Sequence, residues 1–293
     1  MWSVRGKVCL ITGATSGIGR ETALGLARNG ARLAIVARDR ALATKLEAAA
    51  RRAGSPAVDL FFADLAVQSD VRRVAGEILA KLPAIDVFIS NAGIVMNERE
   101  LTVDGVGKTF AVNHLAPFLL AKLLRERIEA AAPSRIIIVA SQVEARGAID
   151  FDDLTFAKGY TPLGAYDRSK LANVLFTYEL ARRLHERGVT VNCLHPGVIA
   201  TNLLSDYERK SRLGGKLLRL THSGPKEGAA TTLRLATDPK LIDVSGRHFK
   251  PTGEARTSPA SYDLQLARRL WEISEQLVGE AEAPLHAKGG ALE

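Results

Sequence analysis

The stretch Val8-Cys9-Leu10-Ile11-Thr12-Gly13-Ala14-Thr15-Ser16-Gly17-Ile18-Gly19-Arg20 decides how this chain is read. An apolar run reaches Thr12, a glycine-rich turn follows, and a helical pattern opens at Arg20 with no spacer. Glycine permits the tight backbone path. The missing Cβ atoms let a diphosphate approach the helix N-terminus, where free N–H groups favour negative charge. A glycine cluster alone is equally a loop that needs turns; a strand before it and a helix after it make it a dinucleotide-binding signature. The candidate contacts are Gly13, Thr15, Ser16, Gly17, Ile18 and Gly19.

Outward from this unit the same alternation repeats. Further strand candidates lie at 33–37, 58–63, 87–90, 136–140, 189–194 and 247–249, and helical patterns at 20–28, 41–53, 69–82, 105–127, 165–187 and 226–237. Strands that are apolar nearly throughout are expected where both faces of a parallel sheet are covered. Strict βα alternation therefore predicts one α/β domain over residues 1–281, a doubly wound parallel sheet of about seven strands in the Rossmann arrangement. Ligands of such sheets bind beyond the carboxyl ends of the strands, so functional residues should cluster just after each strand.

The end of the second strand bears on the cofactor. A site for NAD would place Asp or Glu there to accept from the ribose 2′-hydroxyl. Here Ala37 is followed by Arg38, whose guanidinium suits the 2′-phosphate of NADP(H). Asp39 would repel that phosphate if it turned inward. After the third strand, Asp64-Leu65 stands where an adenine would be held, although Asp64 is equally placed to cap the helix that starts near Ser69.

The chemistry points to Tyr166-Asp167-Arg168-Ser169-Lys170. Residues four apart share a helix face, so Tyr166 and Lys170 project together. A free tyrosine hydroxyl, with a pKa near ~10, is a poor acid–base group at neutral pH. A neighbouring ammonium stabilises the phenolate and brings it nearer the working range. The pair is a common accident by itself and gains weight from Ser141, after the fifth strand, and from Asn113 within Phe110-Ala111-Val112-Asn113. Ser141 could hydrogen-bond a substrate oxygen or merely cap a turn. Asn113 could serve the site or make a helix-interior contact.

These elements together resemble the short-chain dehydrogenase/reductase family. The matching residues are Gly13, Gly17 and Gly19, then Asn91-Ala92-Gly93, Asn113, Ser141, Tyr166, Lys170, and His195-Pro196-Gly197 running to Thr201, in the family's order over residues 6–249. Ser90 departs from the family's usual Asn, in a segment that mainly braces the sheet. The stretches from Phe110 and Tyr166, and the late helix from Ala267, narrow the likeness to the retinol dehydrogenase-like branch. The resemblance implies that Tyr166 exchanges a proton with the substrate oxygen. It implies that Lys170 lowers the tyrosine pKa and bonds the nicotinamide ribose, that Ser141 orients the substrate, and that Asn113 holds a water joining Lys170 to solvent. Asn91, Ala92, Gly93, Pro196, Gly197 and Val198 would border the cofactor, with the Val198 backbone on the carboxamide and Thr201 near the diphosphate. Homo-oligomers are common in the family. Many animal members of the branch carry an N-terminal membrane helix, which this sequence does not show, so retinoids need not be its substrate.

Residues 202–225 read as a substrate lid, with Leu213, Leu217 and Leu218 among Lys210, Arg212 and Lys216. Its basic side faces either water or an anionic membrane surface. The loop 146–163 offers Phe151, Phe156 and Tyr160 as walls of an apolar pocket or as local packing. Residues 282–293 are small and polar and read as a disordered tail. The net charge of +8 is mild, and no nucleic-acid module is present. The two isolated cysteines make no disulfide framework, which with the lack of a signal or membrane segment predicts a cytoplasmic protein without metal. The function expected is NADP(H)-dependent interconversion of an apolar aldehyde or ketone and its alcohol. The rivals are reduction of a conjugated C=C bond and a non-catalytic NADP(H) sensor.

Overall fold

β1 (Val8–Thr12) is buried along its whole length, as a strand covered on both faces must be. A computed structural model describes residues 2–197 and 224–279, and in it β1 lies at the centre of one sheet. On one side it pairs in parallel with β2 (Arg32–Ala37), and β2 with β3 (Val58–Phe62). On the other side come β4 (Val87–Ser90), β5 (Ser134–Val139), β6 (Val189–Leu194) and β7 (Arg247–Lys250), all parallel. β8 (Gly253–Glu254) closes the edge antiparallel to β7, giving the order β3-β2-β1-β4-β5-β6-β7-β8. The order reverses beside β1, which is the switch point where an open α/β sheet binds its ligand.

Helices cover both faces. α1 (Gly17–Arg28) and α2 (Arg40–Ala53) pack on one, and α3 (Gln68–Lys81) on the other. α4 (Lys108–Phe110) runs through a π-helical turn, Ala111–Leu115, into α5 (Ala116–Glu129). α5, α6 (Pro162–Arg183) and α8 (Leu264–Val278) join α3, whereas α7 (Pro225–Thr237) joins α1 and α2. Leu10 and Ile136 belong to one core, and their strand neighbours Ile11 and Ile137 to the other, which is the alternation of a pleated strand between two helix layers.

Four departures from the sequence expectation have physical causes. The sheet gains β8, whose two residues are too few to show periodicity. β5 begins at Ser134 because Arg135 continues the ladder opposite Val87 and Thr190. A charged residue breaks the apolar pattern, yet this one is 2% exposed, with its guanidinium donating to the carbonyls of Leu235 at 2.6 Å and Asp238 at 2.8 Å. The single helix expected over 105–127 starts at Lys108 and widens at 111–115. Pro117 has no N–H to donate and its ring would crowd the carbonyl four residues back, so the regular register cannot continue. α6 begins at Pro162 rather than Ala165, because Thr161 caps it by accepting from the Gly164 N–H at 3.1 Å. It also ends at Arg183, short of Arg187; Glu186 and Gly188, with φ of 66° and 69°, turn the chain into β6.

Val198, Thr201, the tail 282–293 and nearly all of the expected lid lie outside the described residues.

Candidate active site

The turn after β1 lets backbone come close to a ligand. Gly13 and Gly17 have φ of 66° and 52°, the left-handed region that glycine enters freely. A Cβ on Gly19 would lie 2.3 Å from the Gly13 carbonyl oxygen. Ser16 stands at the N-cap of α1 but makes no capping bond, and the first turn holds no acidic residue. Unbonded N–H groups and the helix dipole there fit the diphosphate of a dinucleotide. Thr15 and Ile18 flank the turn half-buried, and Ser16 is exposed.

Asn91-Ala92-Gly93, after β4, braces this turn. The Asn91 amide donates to the carbonyls of Thr12 at 3.1 Å and Gly13 at 2.9 Å. The N–H groups of Asn91 and Ala92 both donate to the Thr12 hydroxyl, each at 3.1 Å. Thr12 thus belongs to the site's framework, a role that sequence reasoning missed. Its signal was a hydroxyl at the last strand position before a glycine turn.

At the end of β2, Arg38 is exposed. Asp39 does not turn against it: its carboxylate caps α2 and accepts from the Leu42 N–H at 2.9 Å. Asp64 caps no helix, since α3 begins at Gln68. Its carboxylate accepts from the Ala66 N–H at 2.9 Å, and its own N–H donates to Asp70 at 2.9 Å, which shapes the loop after β3. Leu65 packs half-buried against the core.

The four expected catalytic residues come from three elements. Asn113 lies in the π-helical turn, buried. Its amide oxygen accepts from the Ile94 N–H at 2.8 Å, and its nitrogen donates to the Ile94 carbonyl and the Ser169 hydroxyl, each at 3.0 Å. Ser169 in turn donates to the Tyr166 carbonyl at 2.7 Å, so this residue joins the turn to α6. Ser141 is the N-cap of a short 3-10 turn, Gln142–Arg146, where its hydroxyl accepts from the Val143 N–H at 3.4 Å. Lys170 is buried, donates to the Val139 carbonyl at the end of β5 at 2.8 Å, and has its Nζ 5.3 Å from the centre of the Tyr166 ring. A Cβ on Gly93 would sit 3.5 Å from Asn113 Oδ1 and 3.7 Å from Lys170 Nζ, so the segment after β4, the widened turn and α6 meet at one point.

Burial governs the charges here. It draws the Lys170 ammonium from its ordinary 10.5 down to about 8. It pushes the Tyr166 phenol above its ordinary range, with the nearby Asp167 carboxylate adding to the effect. The expected lowering of Tyr166 by Lys170 is therefore outweighed in the protein alone, because both charged forms lose hydration and the ammonium is directed at a carbonyl.

The loop before α6 is fastened by Arg168, which donates to the Ala148 carbonyl at 3.0 Å and to the Asp153 carbonyl, and lies 4.2 Å over the Phe156 ring. Phe156 and Tyr160 line a small pocket with Met96, Phe110 and Ala165, the neighbour of Tyr166. The Tyr160 hydroxyl donates to the Met96 carbonyl at 2.7 Å. Phe151 packs against the core instead, beneath the Arg269 guanidinium at 4.3 Å. Pro196 and Gly197 follow β6, where the His195 N–H donates to the Phe249 carbonyl at 2.8 Å. Among the described residues no helix is long and apolar enough to cross a membrane.

The switch-point turn and the Tyr–Lys helix face define a class, and residues 7–212 match the short chain dehydrogenase family. The chain belongs to that family and is an oxidoreductase of the short-chain type. Within it, the chain falls in the retinol dehydrogenase-like branch: it is 42% identical to human retinol dehydrogenase 14 over 294 residues, covering 94% of this chain and 87% of that protein. A crystal structure of a Mycobacterium paratuberculosis protein is similar with a TM-score of 0.75 and 34% identity, covering 94% of both chains. A blue fluorescent protein from a metagenomic library, solved with NADPH, is similar with a TM-score of 0.67 and 27% identity, covering 85% of this chain and 97% of that one.

Proposed function

We propose that this chain is an NADP(H)-dependent oxidoreductase that interconverts an apolar aldehyde or ketone and its alcohol. The observation that carries the reading is the meeting of Asn113, Lys170 and Tyr166 near the end of β5, with Ser141 two residues past that strand and the neighbouring Asn91 bonded to the glycine turn that leads into α1. Gly13, Thr15, Ser16, Gly17, Ile18 and Gly19 would hold the diphosphate, and Asp64 and Leu65 the adenine side. Asn91, Ala92 and Gly93 would flank the cofactor, with Pro196, Gly197, Val198 and Thr201 on the nicotinamide side. Two facts favour the phosphorylated cofactor: Arg38 is exposed at the end of β2, and the Asp39 carboxylate is occupied by its helix.

The bound cofactor supplies the hydride. Tyr166, kept protonated by burial, donates its hydroxyl proton to the carbonyl oxygen in reduction. Ser141 donates a hydrogen bond to the same oxygen and fixes its position. The Lys170 ammonium stabilises the phenolate left behind, and Asn113 stands beside it where a proton would be returned. Met96, Phe110, Phe156 and Tyr160 beside Ala165 favour an apolar substrate, and the two free, buried cysteines suit a reducing compartment, the cytoplasm.

The test follows consumption of NADPH, and separately of NADH, against a panel of aldehydes, ketones and retinal. NADPH should be used faster than NADH. Tyr166→Phe should cost about 10²- to 10⁴-fold in turnover while NADPH binding is kept. Tight NADPH binding with no carbonyl reduced would sink the proposal in favour of C=C reduction or cofactor sensing.

A further inference from the structure

We propose that Glu144 is a positioning residue for Ser141, and that through it the segment after β8 becomes part of the catalytic geometry. The inference rests on the reading of Ser141 as the group that holds the substrate oxygen. Glu144 lies three residues beyond Ser141 in the turn Gln142–Arg146 and is 3% exposed. A carboxylate is costly to bury unless its oxygens are bonded. Here both oxygens go to one residue: the Ser258 N–H donates to Oε1 at 2.9 Å, and the Ser258 hydroxyl donates to Oε2 at 2.6 Å.

The opposite side of the same turn is held by α6. Arg146 donates twice to Asp167, from Nε at 2.9 Å and from Nη2 at 3.2 Å. A Cβ on the next residue, Gly147, would lie 2.5 Å from the Asp167 carbonyl oxygen. The turn that starts at Ser141 is therefore strung between the helix carrying Tyr166 and the segment carrying Ser258. The bond Ser141 makes within the turn, at 3.4 Å, is too long to set its hydroxyl unaided.

Ser258 is a firm anchor. Its carbonyl accepts from the Ser261 hydroxyl at 2.7 Å, and the neighbouring Thr257 hydroxyl is bonded to Ser261 at 2.6 Å and to Tyr178 of α6 at 2.9 Å. Removing the Glu144 carboxylate would free one side of the Ser141 turn and leave the fold's larger contacts in place. Ser258 also lies beyond residues 7–212, so a scheme built on the family's own motif residues does not contain it.

A residue that only stabilises the fold would, on removal, lower the melting temperature and leave the turnover of folded protein unchanged. A positioning residue lowers kcat. Glu144→Ala should reduce kcat for carbonyl reduction on the order of 10- to 100-fold, with KM and NADPH affinity little changed. Glu144→Gln, whose amide oxygen still accepts from the Ser258 N–H, should recover most of the loss. Ser258→Ala should show a smaller loss of the same kind, and the double variant should lose no more than Glu144→Ala alone. Hydrogen exchange should rise at amides 142–147 in Glu144→Ala, with β1 and β4 unchanged. If Glu144→Ala does not fold, Ser258→Ala carries the kcat and exchange comparison, with Glu144→Gln as the conservative control. Unchanged kcat, losses that multiply in the double variant, or exchange raised throughout would each overturn the inference. A wild type that reduces no carbonyl overturns the proposed function instead, and the exchange measurement still decides whether Glu144 fixes the turn.

Discussion

The two halves of the proposed site are built by different means. On the cofactor side, one turn between β1 and α1 does most of the work through backbone: Gly13, Gly17 and Gly19 lie within seven consecutive residues, and what matters is the side chain they lack. On the catalytic side, Asn113, Ser141, Tyr166 and Lys170 come from three separate elements, held by bonds of Asn113 to Ile94 and Ser169, of Lys170 to Val139, and by the Arg146–Asp167 pair that ties the Ser141 turn to α6. The first half is local and is exposed to steric damage. The second is assembled over long sequence separations from buried polar groups, and is exposed to changes in charge.

That contrast can be broken at its strongest point. Gly19→Ala would place a Cβ 2.3 Å from a carbonyl oxygen and 2.4 Å from the Asn91 amide, both part of the braced turn. NADPH affinity should fall about 100-fold, equivalent to about 3 kcal/mol, in a fluorescence titration. The same change at Gly76, where nothing lies within 4 Å, should leave affinity intact. Equal affinities for the two variants would show that the cofactor side does not depend on a close-packed backbone.

The catalytic half should instead answer to pH. His114, beside Asn113, is buried with Nε2 2.9 Å from the Ser274 hydroxyl of α8, and burial lowers its pKa from 6.5 to about 4. Above pH 6.5 both folded and unfolded forms are neutral, and its contribution to stability is complete. As pH falls from 6.5 towards 4, the unfolded chain takes up a proton that the folded form refuses, so stability declines by up to about 3 kcal/mol. Denaturant titrations between pH 7 and pH 4.5 should show this, with a smaller decline in His114→Gln. An equal decline in that variant would move the effect elsewhere.

The effect that is smallest near neutral pH concerns Lys170. Its ammonium, titrating at about 8, is present below that pH and lost above it. kcat/KM for carbonyl reduction should fall above pH 8, by about tenfold per pH unit once the lysine is mostly neutral. A flat profile to pH 10 would mean that the ammonium is not needed to stabilise the phenolate.

Much of this was legible in the chain itself, for reasons tied to particular residues. Apolar runs such as Val8–Thr12 are read correctly because a strand buried on both faces has no polar side to hide the pattern. The reading failed where tertiary contacts make a residue behave against type. Arg135 is a charge inside a strand because carbonyls of α7 and its end accept from it. Asp64 had two uses open in sequence and the direction of Asp39 was open, and only the positions of α2 and of the loop before α3 show which amides they bond.

By itself, then, the sequence determined the alternation of strands and helices, the glycine turn, and the one-face placement of Tyr166 and Lys170, since all three depend on spacings of a few residues. Tertiary structure alone decided that Asn113 meets Ser169, that Lys170 is directed at Val139, and that Glu144 reaches Ser258. Those contacts join residues 31 to 114 positions apart, or 56 in the case of Asn113 and Ser169, and no local periodicity encodes which distant hydroxyl or carbonyl will satisfy a buried polar group.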